Sequence, residues 1–329
     1  MEVSREENLP PPPGIIKSIK AGFDAIAMHI TAIIFPLLLN LFLWLGPRLR
    51  MDALFDSIKN DMVSIWQSGG IPTEDIQRAL VWYETAIPNI NLFWLLRTIP
   101  IGISSLQFPQ AVQTPLGPPA VLQVGAVGLF GWIFLLTLIG WAGGGLYFRA
   151  VARLAIMNND VQFIGLPRAI AQTTFLSILW GILTTLIIMP ILLIFAILLQ
   201  LGQILAQLFA IFLSLASMWV IVPLFFWSHG VFLKRQGVFT SMLSSLQMTR
   251  FTLPTSGMFV LTVFLLSFGL NFLWRIPPEN SWMTLVGIFG HSFVTTALLA
   301  GSFIYYRDMN SWLQNAVEKF RSKAVNRQA

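Results

Sequence analysis

In this chain of 329 residues, 56% are hydrophobic and only 10% charged, too few charges to clothe a water-soluble surface, which ordinarily carries about 25%. The net charge of +6 and pI near 10.0 would suit nucleic acid, but the basic residues follow one side of a membrane pattern, where anionic lipid attracts them, so no nucleic-acid partner is expected. Cysteine is absent, which excludes disulfides and thiolate metal sites.

Charge-free stretches cover 25–47, 98–148, 169–233, 251–274 and 280–306. A bilayer-crossing helix needs about 20 apolar residues, because each residue rises about 1.5 Å through a core about 30 Å thick. The long stretch 169–233 therefore holds two spans, with the turn at Gln200-Leu201-Gly202-Gln203 where hydropathy dips. The expected fold is an all-α, polytopic transmembrane helix bundle of six spans, with cytoplasmic interfacial helices and an external helical insertion. In chain order the reading gives a cytoplasmic segment 1–26, span 27–46, the insertion 47–120, span 121–148, a cytoplasmic loop 149–173 and span 174–199. It continues with span 204–230, a second cytoplasmic loop 231–255, span 256–275, span 282–306 and a basic tail 307–329. Long unbroken Leu/Ile/Phe runs favour helices over barrel strands, which alternate apolar and polar residues.

The glutamates Glu2, Glu6 and Glu7 and the prolines Pro10 to Pro13 replace the basic start of a cleavable signal peptide, so span 27–46 is expected to be an uncleaved anchor. Fourteen lysines and arginines fall on the side of both termini, five lie in the long insertion, and only Arg275 lies in the two short loops opposite. The positive-inside rule then puts both ends in the cytoplasm, in a cell (inner) membrane. Trp44, Trp274 and Trp282 read as anchors at the outer ends of spans, and Tyr147, Trp227, Tyr305 and Tyr306 as anchors at the inner ends.

Within the insertion, Met51, Leu54, Phe55, Ile58, Met62, Ile65 and Trp66 share one helical face, and Gly69-Gly70 supplies a stop. A second helix is expected from Thr73 as N-cap, with Glu74 and Asp75 in its first turn, to the break at Pro88. The hydrophobic stretch 89–108 is interrupted by Arg97 and Pro100 and is read as lying in the outer interface; were it a seventh span, the two ends would separate. The Pro/Gln-rich remainder of the insertion reads as loop.

Three segments share a pattern: 14–22 (GIIKSIKAG), 165–173 (GLPRAIAQT) and 237–245 (GVFTSMLSS). Each puts glycine first, aliphatic residues second and sixth, and a small residue fifth. The implied unit is an interfacial helix, a span out, a turn and a span back, present three times, the first copy carrying the insertion. Taken in order, the span, basic loop, glycine-led amphipathic helix and next span over 141–190 and 219–275 resemble the membrane domains of some bacterial glycerophosphodiester phosphodiesterases. The catalytic barrel of that family has no counterpart here. The resemblance implies a membrane scaffold that handles or senses lipid-linked material.

No zinc-protease, phosphate-loop or nucleophile-elbow motif is present, and the interiors of the six spans carry no Asp, Glu, Lys or Arg. Ion-coupled transport and intramembrane proteolysis generally need such groups. The expectation is a non-enzymatic scaffold or accessory subunit without cofactor, whose partners are membrane lipids and other membrane proteins; the alternative is a transporter or lipid-handling protein. For that alternative the candidate intramembrane polar site is Gln203, Gln207, Asn271 and His291. His291 has two readings, a metal- or proton-exchanging imidazole, and an interhelical hydrogen bond to Asn271 or Asn40. His29 and His229 read as neighbours at the cytoplasmic ends of two spans, within reach of each other or of Asp24. Gln203, Gln207, Ala210, Ser214 and Ser217 form a stripe that lines either a polar pathway or a packing seam. Gly125, Gly128, Gly131, Gly140 and Gly143 to Gly145 are expected to serve close packing, and Pro36, Pro190 and Pro223 to kink their spans.

Overall fold

The computed structural model describes residues 11–106, 113–156 and 164–326. Glu2, Arg5, Glu6 and Glu7, residues 107–112 of the Pro/Gln-rich loop, part of the 149–173 loop and the end of the basic tail lie outside the described residues. Among the described residues the fold is all-α apart from one short strand pair. Its elements are α1 (Ile15–Met28), α2 (Ile34–Leu45), β1 (Arg48–Arg50), α3 (Asp52–Ser68), α4 (Thr73–Ala86), β2 (Val121–Gln123), α5 (Ala126–Ala155), α6 (Leu166–Leu201), α7 (Gln203–Lys234), α8 (Val238–Trp274) and α9 (Thr284–Asn326).

Among the described residues five helices, α5 to α9, are long and apolar enough to cross a membrane, and the bent pair α1–α2 makes a sixth if counted as one span. The expected first span at 27–46 begins later than expected. α1 runs through Met28, His29 leaves helical geometry (φ −130, ψ 60), and the chain bends by 96° into a 3-10 turn and then α2. Residues 30–45 rise about 26 Å, close to the hydrocarbon thickness. Pro36 is only the third residue of α2, where a missing N–H costs nothing, so it starts a helix instead of kinking one.

The other boundaries follow hydropathy with instructive departures. The turn between α6 and α7 falls at Gly202, as expected, at a φ of 151 that only glycine adopts readily. The interfacial segment at 165–173 is continuous with its span in α6, and α9 carries the helix through most of the expected tail. α8 is likewise one element, but Thr252 is non-helical (φ −123, ψ 18) two residues before Pro254, a kink that the proline list omitted. The expected second span at 121–148 starts instead at Ala126, because 121–123 is strand β2. It pairs in parallel with β1, Arg48 opposite Val121, and so ties together the two ends of the insertion. In the insertion α3 and α4 lie where expected, except that Pro72, not Thr73, occupies the N-cap.

The chain divides into two compact units. One comprises residues up to 32, 148–268 and from 294 onward. Its core is aromatic: Phe226 stacks with Phe259, Tyr305 and Tyr306, and Phe259 lies on Tyr305 at 4.0 Å and 10°. Tyr305, Tyr306 and Trp227 are therefore core residues and not the lipid anchors their positions implied. The Trp227 indole finds its partner inside, donating to the Val238 carbonyl at 2.9 Å. α1 meets α9 backbone to backbone at Gly22 and Gly301, where any side chain on Gly22 would collide with the Ala297 carbonyl. The most apolar stretch of α6 has no buried residue, as befits a helix with a face to lipid.

The second unit comprises 33–147 and 269–293. Leu49, Leu92, Val124 and Leu136 form one apolar cluster, and Trp44, Leu106 and Ile288 another. Trp44 and Tyr147 are buried here as well, so they too are core residues.

Gly22→Leu is expected to destabilise the protein by about 3 kcal/mol, since overpacking of a close backbone contact has no room to relax. Gly269→Ala, in α8 with nothing within 4 Å of the added methyl, should be neutral or stabilising. Thermal unfolding of the two variants in the same detergent separates these outcomes.

Candidate functional site

The second unit holds an irregular segment that is satisfied by polar side chains from three spans. After a 3-10 turn at Leu92–Leu96, residues 97–106 contain no regular element, so the stretch expected in the outer interface is not a seventh helical span. Its start is fixed by Asn91, whose carbonyl oxygen Oδ1 accepts from the Phe93 N–H at 3.2 Å and the Leu49 N–H at 3.0 Å. The segment then packs against the middle of α5. A Cβ on Gly140 would lie 2.9 Å from the Leu95 and Leu96 carbonyls, and one on Gly144 would lie 2.7 Å from the Ile101 carbonyl. These glycines lie about 21 and 27 Å along α5 from its first residue. Gly125 and Gly131, expected to share this role, have open space around them.

Irregular backbone packed against a membrane-length helix needs its polar groups met by protein. Asn40, fully buried at the middle of α2, does most of this. Its Oδ1 accepts from the Leu106 N–H at 2.7 Å and the Ser105 hydroxyl at 3.0 Å. Its Nδ2 donates to the Pro36 carbonyl at 2.6 Å and, more weakly, to Ser104 at 3.4 Å. Arg275 donates Nε to the Leu106 carbonyl at 3.1 Å, and Thr98 Oγ1 donates to Ile101 at 2.8 Å.

His291 and Asn271, two of the four sequence-derived site residues, are brought together here. His291 Nδ1 lies 2.6 Å from Asn271 Oδ1, and its Nε2 lies 3.3 Å from the Ser104 hydroxyl. With Asn271 accepting, the ring carries its proton on Nδ1 and uses Nε2 as acceptor, the arrangement of a neutral imidazole joining two helices to the segment. This is the interhelical hydrogen bond that the sequence offered as one reading of His291. The other two residues, Gln203 and Gln207, belong to the other unit, at the start of α7, and both are exposed there. Ser214 and Ser217 bond back to their own helix.

His229 is also spoken for. It is buried against Phe225 and Phe303 and bonds Ser302 Oγ at 2.7 Å, not His29 or Asp24. Among the described residues no group of three or more His, Asp or Glu could hold a metal ion.

Outside the spans, charge gathers at the ends of α2 and α8. Arg48 is buried and donates to the Leu43 carbonyl and, at 3.2 Å, to that of Trp44, placing a cation on the C-terminus of α2. The Trp44 indole donates to the Glu279 carbonyl at 2.8 Å, and Trp282 meets its ring edge-on at 6.0 Å. Burial raises the Glu279 carboxyl above the usual carboxylate range, against the opposing pull of Arg48 and Arg275. Sequence reasoning missed this cluster and the tucked segment alike. The only signals were Arg97, Pro100 and Gly102 inside a hydrophobic run.

Asn40→Leu should cost about 3 kcal/mol, since it strands the buried Leu106 N–H and Ser105 hydroxyl at roughly 1–3 kcal/mol each. His291→Leu should cost less, because its partners Asn271 and Ser104 are only partly buried. Hydrogen exchange over 97–106 would show the Asn40 effect as locally faster exchange. For Glu279→Gln the sign runs the other way. A carboxyl raised in the folded state destabilises it when ionised, so the amide should be the more stable form at pH 8, and the difference should close as pH falls through the carboxyl range. Paired melting curves across pH read this directly.

In comparisons with known proteins, no family model, no curated protein and no solved structure matches the chain.

Proposed function

We propose that this membrane-embedded chain is a non-enzymatic scaffold or accessory subunit of the cell membrane, with both termini in the cytoplasm and the helical insertion outside. The observation that carries this reading is the engagement of the intramembrane polar groups. Asn40, Asn271 and His291 spend their hydrogen bonds on the tucked segment and on each other, which is what anchors do. Gln203 and Gln207 support the same reading from the opposite direction. They are exposed on an apolar helix and make no side-chain hydrogen bond among the described residues. An amide facing lipid is satisfied when another helix docks, as polar residues do in membrane assemblies. The layout resemblance to phosphodiesterase membrane domains fits a scaffold that senses or handles lipid-linked material.

The transporter or lipid-handling reading is favoured by one feature, the same exposed Gln203–Gln207 edge, which would meet a lipid headgroup as readily as a helix. Purification from native membranes separates the two. A stoichiometric protein partner that is lost on Gln207→Leu supports the scaffold. Bound lipid lost on Gln207→Leu, with no protein partner, supports lipid handling. Reporter fusions at residue 70 are expected to report the outer side, and a cytoplasmic signal there overturns the orientation.

A further inference from the structure

The insertion carries a cleft that the scaffold reading does not use. Between α3 and α4 lies a cavity of about 200 Å3, larger than the ~150 Å3 cavity that takes up a benzene ring. Its apolar wall is aromatic. Trp66 stacks on Tyr83 at 6.1 Å and 28°, and Phe55 tilts against the same ring at 5.8 Å.

Its polar wall is acidic. Asp52, Asp56 and Glu84 line the cavity together with Lys59. Glu84 already binds an ammonium group, the Nζ of Lys59, and that hydrogen bond and charge raise the lysine above its ordinary pKa and keep it protonated. Asp52 and Asp56 form no ion pair within 4 Å among the described residues, although Asp56 also draws on the Lys59 charge through space. Asp52 accepts from Gln123 Nε2 at 3.0 Å through Oδ2, while its Oδ1 is buried without a hydrogen-bond partner in the protein. Residues 51–87 as a whole carry six carboxylates against two cations, in a chain whose net charge is +6.

Aromatic faces and carboxylates both attract cations, the first through the ring quadrupole and the second through charge. An anion is repelled by this wall, and a purely apolar molecule would lie against the carboxylates without pairing their charge. We propose that the α3–α4 cleft is a binding site for an organic ammonium ion, with its alkyl groups against Trp66 and Tyr83 and its charge toward Asp52 and Asp56. A soluble amine and the choline headgroup of a lipid share this chemistry.

The test uses the full chain in a maltoside detergent, titrated calorimetrically with benzyltrimethylammonium, and with 3,3-dimethylbutanol as a neutral probe of choline-like shape. The expected result is saturable one-to-one binding of the cation, with the neutral probe at least about tenfold weaker. Asp56→Asn changes an exposed residue without disturbing the fold and should weaken the cation about tenfold; Asp52→Asn and Trp66→Leu should do the same. Displacement of the probe by phosphatidylcholine vesicles but not by phosphatidylglycerol vesicles identifies the headgroup as the source, and persistence of the probe identifies a soluble amine. Absence of saturable binding, equal binding of the neutral probe, or unchanged affinity in Asp56→Asn and Asp52→Asn overturns the proposal.

Discussion

The amide of Asn40 is the interaction on which the second unit depends. A helix satisfies its own backbone, but the non-helical run 97–106 cannot, and it lies against the middle of a membrane-length helix. Asn40 has two acceptor sites on Oδ1 and two donors on Nδ2, and the structure engages them all: Leu106, Ser105, Pro36 and Ser104. With Leu106 fixed, the remaining contacts follow. Its carbonyl receives Arg275, its side chain fills the cluster with Trp44 and Ile288, and Ser104 is left where His291 reaches it. The glycines at 140 and 144 are the steric counterpart, since a side chain at either would displace backbone that Asn40 holds.

The insertion is anchored by the same logic at its two ends. β1 leaves α2 and β2 enters α5, and their parallel pairing closes a loop of some seventy residues with a few ladder bonds. Arg48 makes the junction rigid by capping α2 with a buried cation, while Asn91 joins the strand to the 3-10 turn through Leu49. α3 and α4 therefore rise from a fixed base. They bury little of their own surface, α3 having no buried residue at all, so the hairpin presents its ring-lined cleft and its carboxylates outward.

Much of this was legible in sequence because hydropathy and breakers are local signals. The turn at Gly202, the insertion helices with their stops at Gly69 and Pro88, and the absence of a helical span over 92–106 were all read from neighbours in the chain. What escaped depends on partners distant in sequence. Asn40 looks like one polar residue in an apolar run until Leu106 is beside it, and 121–123 looks like the start of a span until Arg50 faces Gln123. Aromatic residues misled for a related reason. Tyr305 and Tyr306 sit near a span end, where interfacial anchors belong, but stacking with Phe226 and Phe259 draws them inside. Of the candidate site, the His291–Asn271 pair was within reach of sequence; its link to Ser104 was not.

The three glycine-led segments show how one packing solution can serve spans that differ. Gly14, Gly165 and Gly237 each precede a helix, and the small fifth residue of each copy, Ser18, Ala169 and Ser241, is buried. The ninth residue, Gly22, Thr173 or Ser245, is buried as well, one helical turn further on, a regularity absent from the sequence pattern as first drawn. Small residues four apart let a helix approach its neighbour closely, and all three pairs fall within the first unit. The copies diverge only beyond this point. The first breaks at His29 and turns by 96°, the second continues as one helix that contains Pro190, and the third kinks at Thr252, where Pro254 removes a hydrogen bond and crowds the preceding turn. The contact near each glycine is thus shared by the three segments, while the path of the chain beyond it differs from one to the next.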